Sequence, residues 1–379
     1  MFCQNQTRRK FLKSSAALCT LVPGAAAGGL ALGSNAFPES ADLLLTEARH
    51  YEKLPHKKIR CLLCPRECVI DDLERGYCGV RENRGGTYYT LVHSRPCSAH
   101  IDPIEKKPLF HFLPGSLAFS IATVGCNVEC IFCQNWEISQ MRPEQAQNYD
   151  MPPAKVAQLA SANNCASIAY TYTEPVIFEE YMYDCAVEGR KKNVRSVMIS
   201  NGYINPKPLL ELCETLDAVK IDLKAFTQKF YTELVSGELK PVLDTLELLV
   251  KQKMWLEIVY LVIPTKNDDK GELREMCQWI ASDLNPDVPV HFSRFYPQYR
   301  LKNLSPTPQK TLRTAREIAL SEGLHYTYIG NMPGDEGENT FCPGCKEVVV
   351  RRIGYQVVQN NIHNGACSKC GTKIAGIWR

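Results

Sequence analysis

From residue 117 onward the chain alternates short β-type runs with amphipathic stretches, and that alternation constrains the fold more than any other feature. Strand-like runs occupy 117–124, 167–172, 195–200, 218–223, 255–263 and 290–295, with a weaker one at 326–329. Helical patterns lie between them. Residues 154–163 place Val156, Leu159 and Ala160 on one face, and 307–322 place Leu312, Ala315, Ile318 and Ala319 on one face. The stretches 177–190, 206–216, 240–251 and 271–284 fill the remaining intervals. Strands separated by helices pair in parallel and need helical cover. Right-handed crossovers then curl the sheet into a barrel or part of one. The expected fold is therefore α/β, a partial barrel of six βα units, with chemistry at the C-terminal ends of the strands.

The loop leaving the first of these strands carries Cys126, Cys130 and Cys133, spaced C-x3-C-x2-C. A structural zinc normally takes four protein ligands, and a [4Fe–4S] cluster usually takes four cysteines. A cluster on three thiolates leaves one iron open for a small molecule. The bland alternative is a zinc loop with a distant fourth ligand. The chain has 18 cysteines, and two further groups stand out. C-x-x-C pairs in a chain of this length read as metal sites more than as a disulfide framework. Cys342, Cys345, Cys367 and Cys370 surround a predicted hairpin at 348–358, a zinc-ribbon-like module. Cys61, Cys64, Cys68 and Cys78 form a candidate second site, a zinc knuckle ahead of an auxiliary cluster, with buried free thiols as the alternative.

Polar residues recur at the ends of the predicted strands. Glu174 follows the second, Ser200, Asn201 and Gly202 end the third, Asp222 ends the fourth, and His291 lies in the sixth. A carboxylate after a strand is more often a helix cap, and a lone His is more often structural. Their recurrence at one end of the sheet is what raises them to site candidates. Gly202 permits close backbone approach. A net charge of +3 gives no basis for nucleic-acid binding.

Taken together, these residues resemble the radical S-adenosylmethionine (SAM) enzymes of the AmmeMemoRadiSam system, relatives of the pyruvate formate-lyase activating enzymes. The resemblance runs from about Cys61 to Arg379. It rests on Gly125-Cys126-Asn127, Cys130-Ile-Phe-Cys133-Gln-Asn-Trp-Glu-Ile-Ser139, Tyr170-Thr-Tyr-Thr-Glu-Pro175, Ser200-Asn-Gly202, Asp222-Leu-Lys224 and the closing Cys-Pro-x-Cys ribbon. It implies a radical SAM barrel in which Cys126, Cys130 and Cys133 hold a [4Fe–4S] cluster, with Phe132 at the family's aromatic position. Glu174 would bind SAM's amino group, and Ser200, Asn201 and Asp222 would line its methionine end. The implied activity is reductive cleavage of SAM to a 5′-deoxyadenosyl radical that abstracts hydrogen from a substrate, with electrons from a flavodoxin- or ferredoxin-type donor. An activating enzyme that installs a glycyl radical on a partner protein is the alternative. A third reading, from another class, is an iron–sulfur electron-transfer protein without SAM; it would need neither the carboxylate at 174 nor the Ser-Asn-Gly turn.

The expected organisation is a twin-arginine signal at 1–36, a Cys-rich region at 37–110, the core barrel at 111–335 and the ribbon-like module at 336–379. A helix is expected at 41–54 and a short strand at 87–92. Thr7-Arg8-Arg9-Lys10-Phe11-Leu12 precedes a mildly apolar run broken by Pro23, with a small-residue cleavage site near Ser34-Asn35-Ala36. Pro23 and several glycines argue against a membrane span there. Twin-arginine export to the periplasm is the expectation, cytoplasmic residence the alternative. The paired substitution Arg8→Lys, Arg9→Lys is expected to keep the protein in the cytoplasm. Cell fractionation checks this, and full-length unaltered protein found only in the cytoplasm would remove the signal.

Overall fold

The computed structural model describes residues 45–379, and these belong to one compact unit. The expected signal at 1–36 lies outside the described residues. The described part of the expected helix at 41–54 is extended instead, as strands Thr46–Glu47 and Tyr51–Lys53. Pro55 is the reason on the chain itself: it disfavours helix before it and starts the turn that folds Tyr51–Lys53 back onto Ile59–Cys61.

The main sheet has eight strands. In chain order they are β1 (Ser98–Pro103), β2 (Leu117–Ala122), β3 (Ser167–Tyr170), β4 (Arg195–Ser200), β5 (Ala218–Asp222), β6 (Trp255–Val262), β7 (Val290–Arg294) and β8 (Thr327–Gly330). They lie side by side in that order. The run β2 to β8 is parallel throughout, and β1 is an antiparallel edge strand on β2. Helices α1 (Pro153–Ala162), α2 (Glu179–Arg190), α3 (Pro206–Cys213), α4 (Leu239–Lys251), α5 (Lys270–Trp279) and α6 (Gln309–Ser321) occupy the intervals from β2 to β8. The interior strands are sequestered almost entirely, as a parallel sheet covered by helices requires. Local chemistry sets the boundaries. Pro153 and Pro206 start α1 and α3, where their missing N–H costs nothing. Asp269 caps α5 by accepting from Gly271 N (2.8 Å) and Glu272 N (3.0 Å). The run predicted at 167–172 stops at Tyr170, because Tyr172 turns into the left-handed region at φ +66°.

The C-terminal segment is docked against the same sheet. Strands β9 (Val348–Ile353) and β10 (Gln356–Asn360) form the expected hairpin. The chain end returns to the segment before β2: Ile377 N donates to His111 O (2.7 Å) and Leu113 N to Ile377 O (2.7 Å). Arg352, fully buried, donates to Phe110 O (2.7 Å) and Thr340 Oγ1 (2.8 Å). His111 sits under this lid, its Nδ1 2.5 Å from Ala375 O and its Nε2 against the Tyr328 hydroxyl. Burial lowers the His111 imidazole to about 4, against the pull of Glu257. The folded value lies below the ordinary one near 6.5, so His111 contributes stability above pH 6.5 that is lost as pH falls towards 4. Its full extent is roughly 3 kcal/mol. Urea unfolding at pH 7, 5.5 and 4.5 is expected to show this acid-side loss, and His111→Gln is expected to flatten it. An equal loss in both chains would clear His111 of the role.

Candidate functional site

The C-terminal ends of the parallel strands open into a cavity of about 500 Å3. Cys126, Cys130, Cys133, Phe132, Glu174, Asn201, Asp222 and His291 all line it. The strand-end and cysteine-loop residues singled out in sequence thus come together in one place, with Ser200 directly behind Glu174. The cysteine loop leaves β2, and Asn135 fastens it to the next strand end by donating to Tyr172 O (2.7 Å). Thr173 Oγ1 donates to Thr123 O (2.7 Å), closing the same gap from the other side. Phe132 is buried against Phe230, with ring centroids 5.7 Å apart. Burial pushes the Cys126 thiol well up and that of Cys130 to about 12, Lys224 opposing the latter. Such thiols become ligands only when a metal displaces their protons. Asn201 Nδ2 stands 4.0 Å from Cys126 Sγ, and Ser139 Oγ 3.4 Å from Cys133 Sγ.

Glu174 is both a cap and a cavity wall. Its Oε1 accepts from Val176 N (3.1 Å), starting the turn Pro175–Phe178, and from Ser200 Oγ (2.7 Å). Its Oε2 accepts from Asn201 N (2.8 Å). Burial raises this carboxyl to about 7, although those three donors favour its charged form. A carboxylate has about four acceptor sites, so Glu174 retains acceptor capacity for a cation in the cavity. Asn201 is held in turn: its Nδ2 donates to Asn127 Oδ1 (2.9 Å), which links the end of β4 to the cysteine loop. Gly202 takes φ +74°, and a Cβ there would stand 3.1 Å from Ile221 and 3.2 Å from Val242.

The remaining electrostatics were not legible residue by residue. Asp222 lies between two lysines: Lys220 Nζ donates to Oδ1 and Lys224 Nζ to Oδ2 (3.0 Å). Burial alone would raise the Asp222 carboxyl, but the two ammonium groups hold it down to about 2. The signal was present, since residues two apart on a strand share a face. Asp102, from β1, accepts from Lys107 (2.6 Å), Lys106 (2.8 Å) and the Tyr172 hydroxyl. Burial brings the Lys107 ammonium down to about 8, against the pull of Asp102. No periodic pattern announces this second cluster, because β1 joins the sheet antiparallel. His291 reaches the cavity wall, but its Nε2 is taken by Glu257 Oε2 (2.7 Å), a buried carboxylate that also accepts from the backbone N–H groups of Phe110 and His111. Burial lowers the His291 imidazole, and Glu257 works against that. His291 is thus tied into the C-terminal docking.

The C-terminal cysteines converge separately. Cys342, Cys345, Cys367 and Cys370 bring their sulfurs within 4.8 Å of one another. Cys342 and Cys370 are 3.6 Å apart, and Cys345 and Cys367 3.7 Å. Four thiolates at 2.3 Å from one zinc stand roughly 3.8 Å apart, so the donor set fits such an ion.

Comparison with known proteins places these features. The Radical SAM superfamily matches residues 120–279, which span the cysteine loop and strands β3 to β6. An uncharacterized protein of Methanocaldococcus jannaschii is 43% identical over 332 residues, 87% of this chain and 99% of that protein. The pyruvate formate-lyase-activating enzyme of Listeria monocytogenes is 22% identical over 224 residues, 54% of this chain and 90% of that enzyme. Among solved structures, a radical SAM methyltransferase from Sphaerobacter thermophilus superposes with a TM-score of 0.46 at 14% identity, covering 60% of this chain and 71% of that one.

Proposed function

The chain belongs to the radical SAM superfamily, and we propose that it uses a [4Fe–4S] cluster on Cys126, Cys130 and Cys133 to cleave SAM reductively and abstract hydrogen from a substrate. The observation that carries this reading is the meeting of three cysteines and the buried carboxylate of Glu174 around one cavity at the strand ends. The donor set fits the group: three sulfur ligands leave one iron for an exchangeable small molecule. When bound, the cluster and SAM supply the one-electron chemistry and the 5′-deoxyadenosyl radical.

The chain's own residues bind, orient and shield. Glu174 accepts a charge-assisted hydrogen bond from SAM's ammonium. Ser200, Asn201 and Val176 fix the rotamer of that carboxylate before any ligand arrives. Lys220 and Lys224 hold Asp222 ionised at the cavity wall. Asn201 and Ser139 approach the sulfurs of Cys126 and Cys133, where hydrogen bonds tune a cluster. Under this reading the parallel strands form the partial (βα)6 barrel of the family, and the C-terminal four cysteines hold a structural zinc in a ribbon-like fold. The similarity to activating enzymes favours a protein as hydrogen donor and a flavodoxin- or ferredoxin-type reductant. The presence of Glu174 and the Ser200-Asn-Gly turn in the cavity favours SAM chemistry over electron transfer alone. For localisation we keep twin-arginine export as the proposal.

Two measurements test this reading. In anaerobically reconstituted Cys130→Ala, loss of the open-iron centre and of 5′-deoxyadenosine formation is expected together, while unchanged turnover would overturn the assignment. In Glu174→Gln the iron content is expected to stay, and SAM affinity to fall by about tenfold to somewhat over a hundredfold. That range corresponds to roughly 1.5–3 kcal/mol for a hydrogen bond to a charged group. Because Glu174 also caps the turn at Pro175, some stability is lost as well. Affinity for 5′-deoxyadenosine, which lacks the amino group, separates the effects: it is expected to be unchanged, and an equal loss would return Glu174 to a structural role.

A further inference from the structure

A second set of thiols meets the cysteine loop from outside the cavity. Cys61 ends the strand Ile59–Cys61, Cys64 and Cys68 lie in the turn after it, and Cys78 precedes the strand Arg81–Arg84. All four line one small internal cavity, and Asn127, the residue after Cys126, lines it too. The carbonyl of Cys78 lies against Gly125. A Cβ at Gly125, which has φ +95°, would stand 2.8 Å from that oxygen and 2.7 Å from Val80 Cγ1. Cys78 and Cys126 also line a common outer cavity of about 720 Å3. Arg66 bolts the two segments together. Its guanidinium donates to Asn127 O (2.5 Å) and to Ser236 O, and lies 3.5 Å from the Tyr77 ring centre.

This set differs in kind from the C-terminal one. There, sulfurs close on each other at 3.6 and 3.7 Å, the spacing for a single ion. Here four cysteines line one small cavity, and no three of their sulfurs lie within 4.8 Å of one another, as is also true of Cys126, Cys130 and Cys133. Four thiols spaced too widely for a single ion are the donor set of a polynuclear iron–sulfur centre. Arg81, buried and paired with Glu180 at 2.8 and 2.5 Å, lines the same cavity and sets a cation beside the thiolates.

We infer that Cys61, Cys64, Cys68 and Cys78 hold a second [4Fe–4S] cluster, closed by four thiolates, in electron-transfer contact with the cysteine loop across Gly125 and Asn127. The site stands on its own geometry; the electron contact rests on the radical SAM reading of Cys126, Cys130 and Cys133. One electron from a ferredoxin- or flavodoxin-class donor reduces the closed centre and passes inward, with no bond made or broken and no proton moved.

The test is anaerobic reconstitution of the full chain with iron, sulfide and zinc analysis and EPR. About eight iron per chain are expected, falling to about four in the Cys126→Ala, Cys130→Ala, Cys133→Ala chain, which keeps a reducible signal insensitive to SAM. Conversely, Cys61→Ser, Cys64→Ser is expected to keep about four iron and a SAM-sensitive signal. If that second chain fails to fold, the triple variant decides alone. No iron in the triple variant, or zinc in the N-terminal set, overturns the site. Four iron that survive only in Cys61→Ser, Cys64→Ser would sink the second site and leave the first standing. For the electron contact, Cys68→Ser is expected to slow flavodoxin-driven SAM cleavage at least tenfold while dithionite-driven cleavage is maintained. Equal rates with both reductants in variant and parent would overturn the contact.

Discussion

The carboxylate of Glu174 is the interaction on which the strand-end site depends. It is buried at the mouth of a parallel sheet, where an unpaired charge would be costly. Three donors from two strand ends satisfy it: Val176 N, Ser200 Oγ and Asn201 N. Those bonds fix the turn after β3 and the end of β4 relative to each other. Asn201 then reaches Asn127 and carries the constraint into the cysteine loop. The same atoms therefore position the cap, the loop and the wall of the cavity.

Two carboxylates beside the cavity are matched by lysines. Asp222 sits between Lys220 and Lys224, and Asp102 between Lys106 and Lys107. Where both partners are buried, as in Asp102–Lys107, such pairs contribute little net stability against apolar packing, yet removing one partner is costly. Their presence at a cavity is better explained by the field they create there. Both signs stand at fixed positions beside the cavity, so the field there needs little reorganisation.

A second buried carboxylate, Glu257, organises the opposite side. It receives the backbone N–H groups of Phe110 and His111 and the imidazole of His291. Arg352 adds the carbonyl of Phe110, and Ile377 the carbonyl of His111. The segment before β2 is thereby held between the sheet and the C-terminal module. Glu338, Gly354 and Tyr355 from that module reach the cavity wall, so the cysteine-bearing tail shapes the site as well as closing the fold.

The alternation of strand and helix from residue 117 determined the parallel sheet, because period-2 and period-3.6 patterns cannot exchange. Cys126, Cys130 and Cys133 with Glu174, Asn201 and Asp222 were legible as strand-end residues, since one sheet end collects every such loop. The hairpin at 348–358 was legible from two short apolar runs around Ile353-Gly354. Residues 45–54, expected as helix, are extended because the proline that follows starts a turn. The antiparallel strand β1, the Asp102–Lys107–Tyr172 cluster and the engagement of His291 by Glu257 were decided only in three dimensions. Asp102 and Tyr172 are 70 residues apart and His291 and Glu257 are 34 apart, while β1 enters the sheet from its edge. The approach of Cys78 to Gly125 belongs to the same class. Sequence spacing groups cysteines along the chain, but only packing brings one group against another, because a contact across two backbones leaves no local period to read.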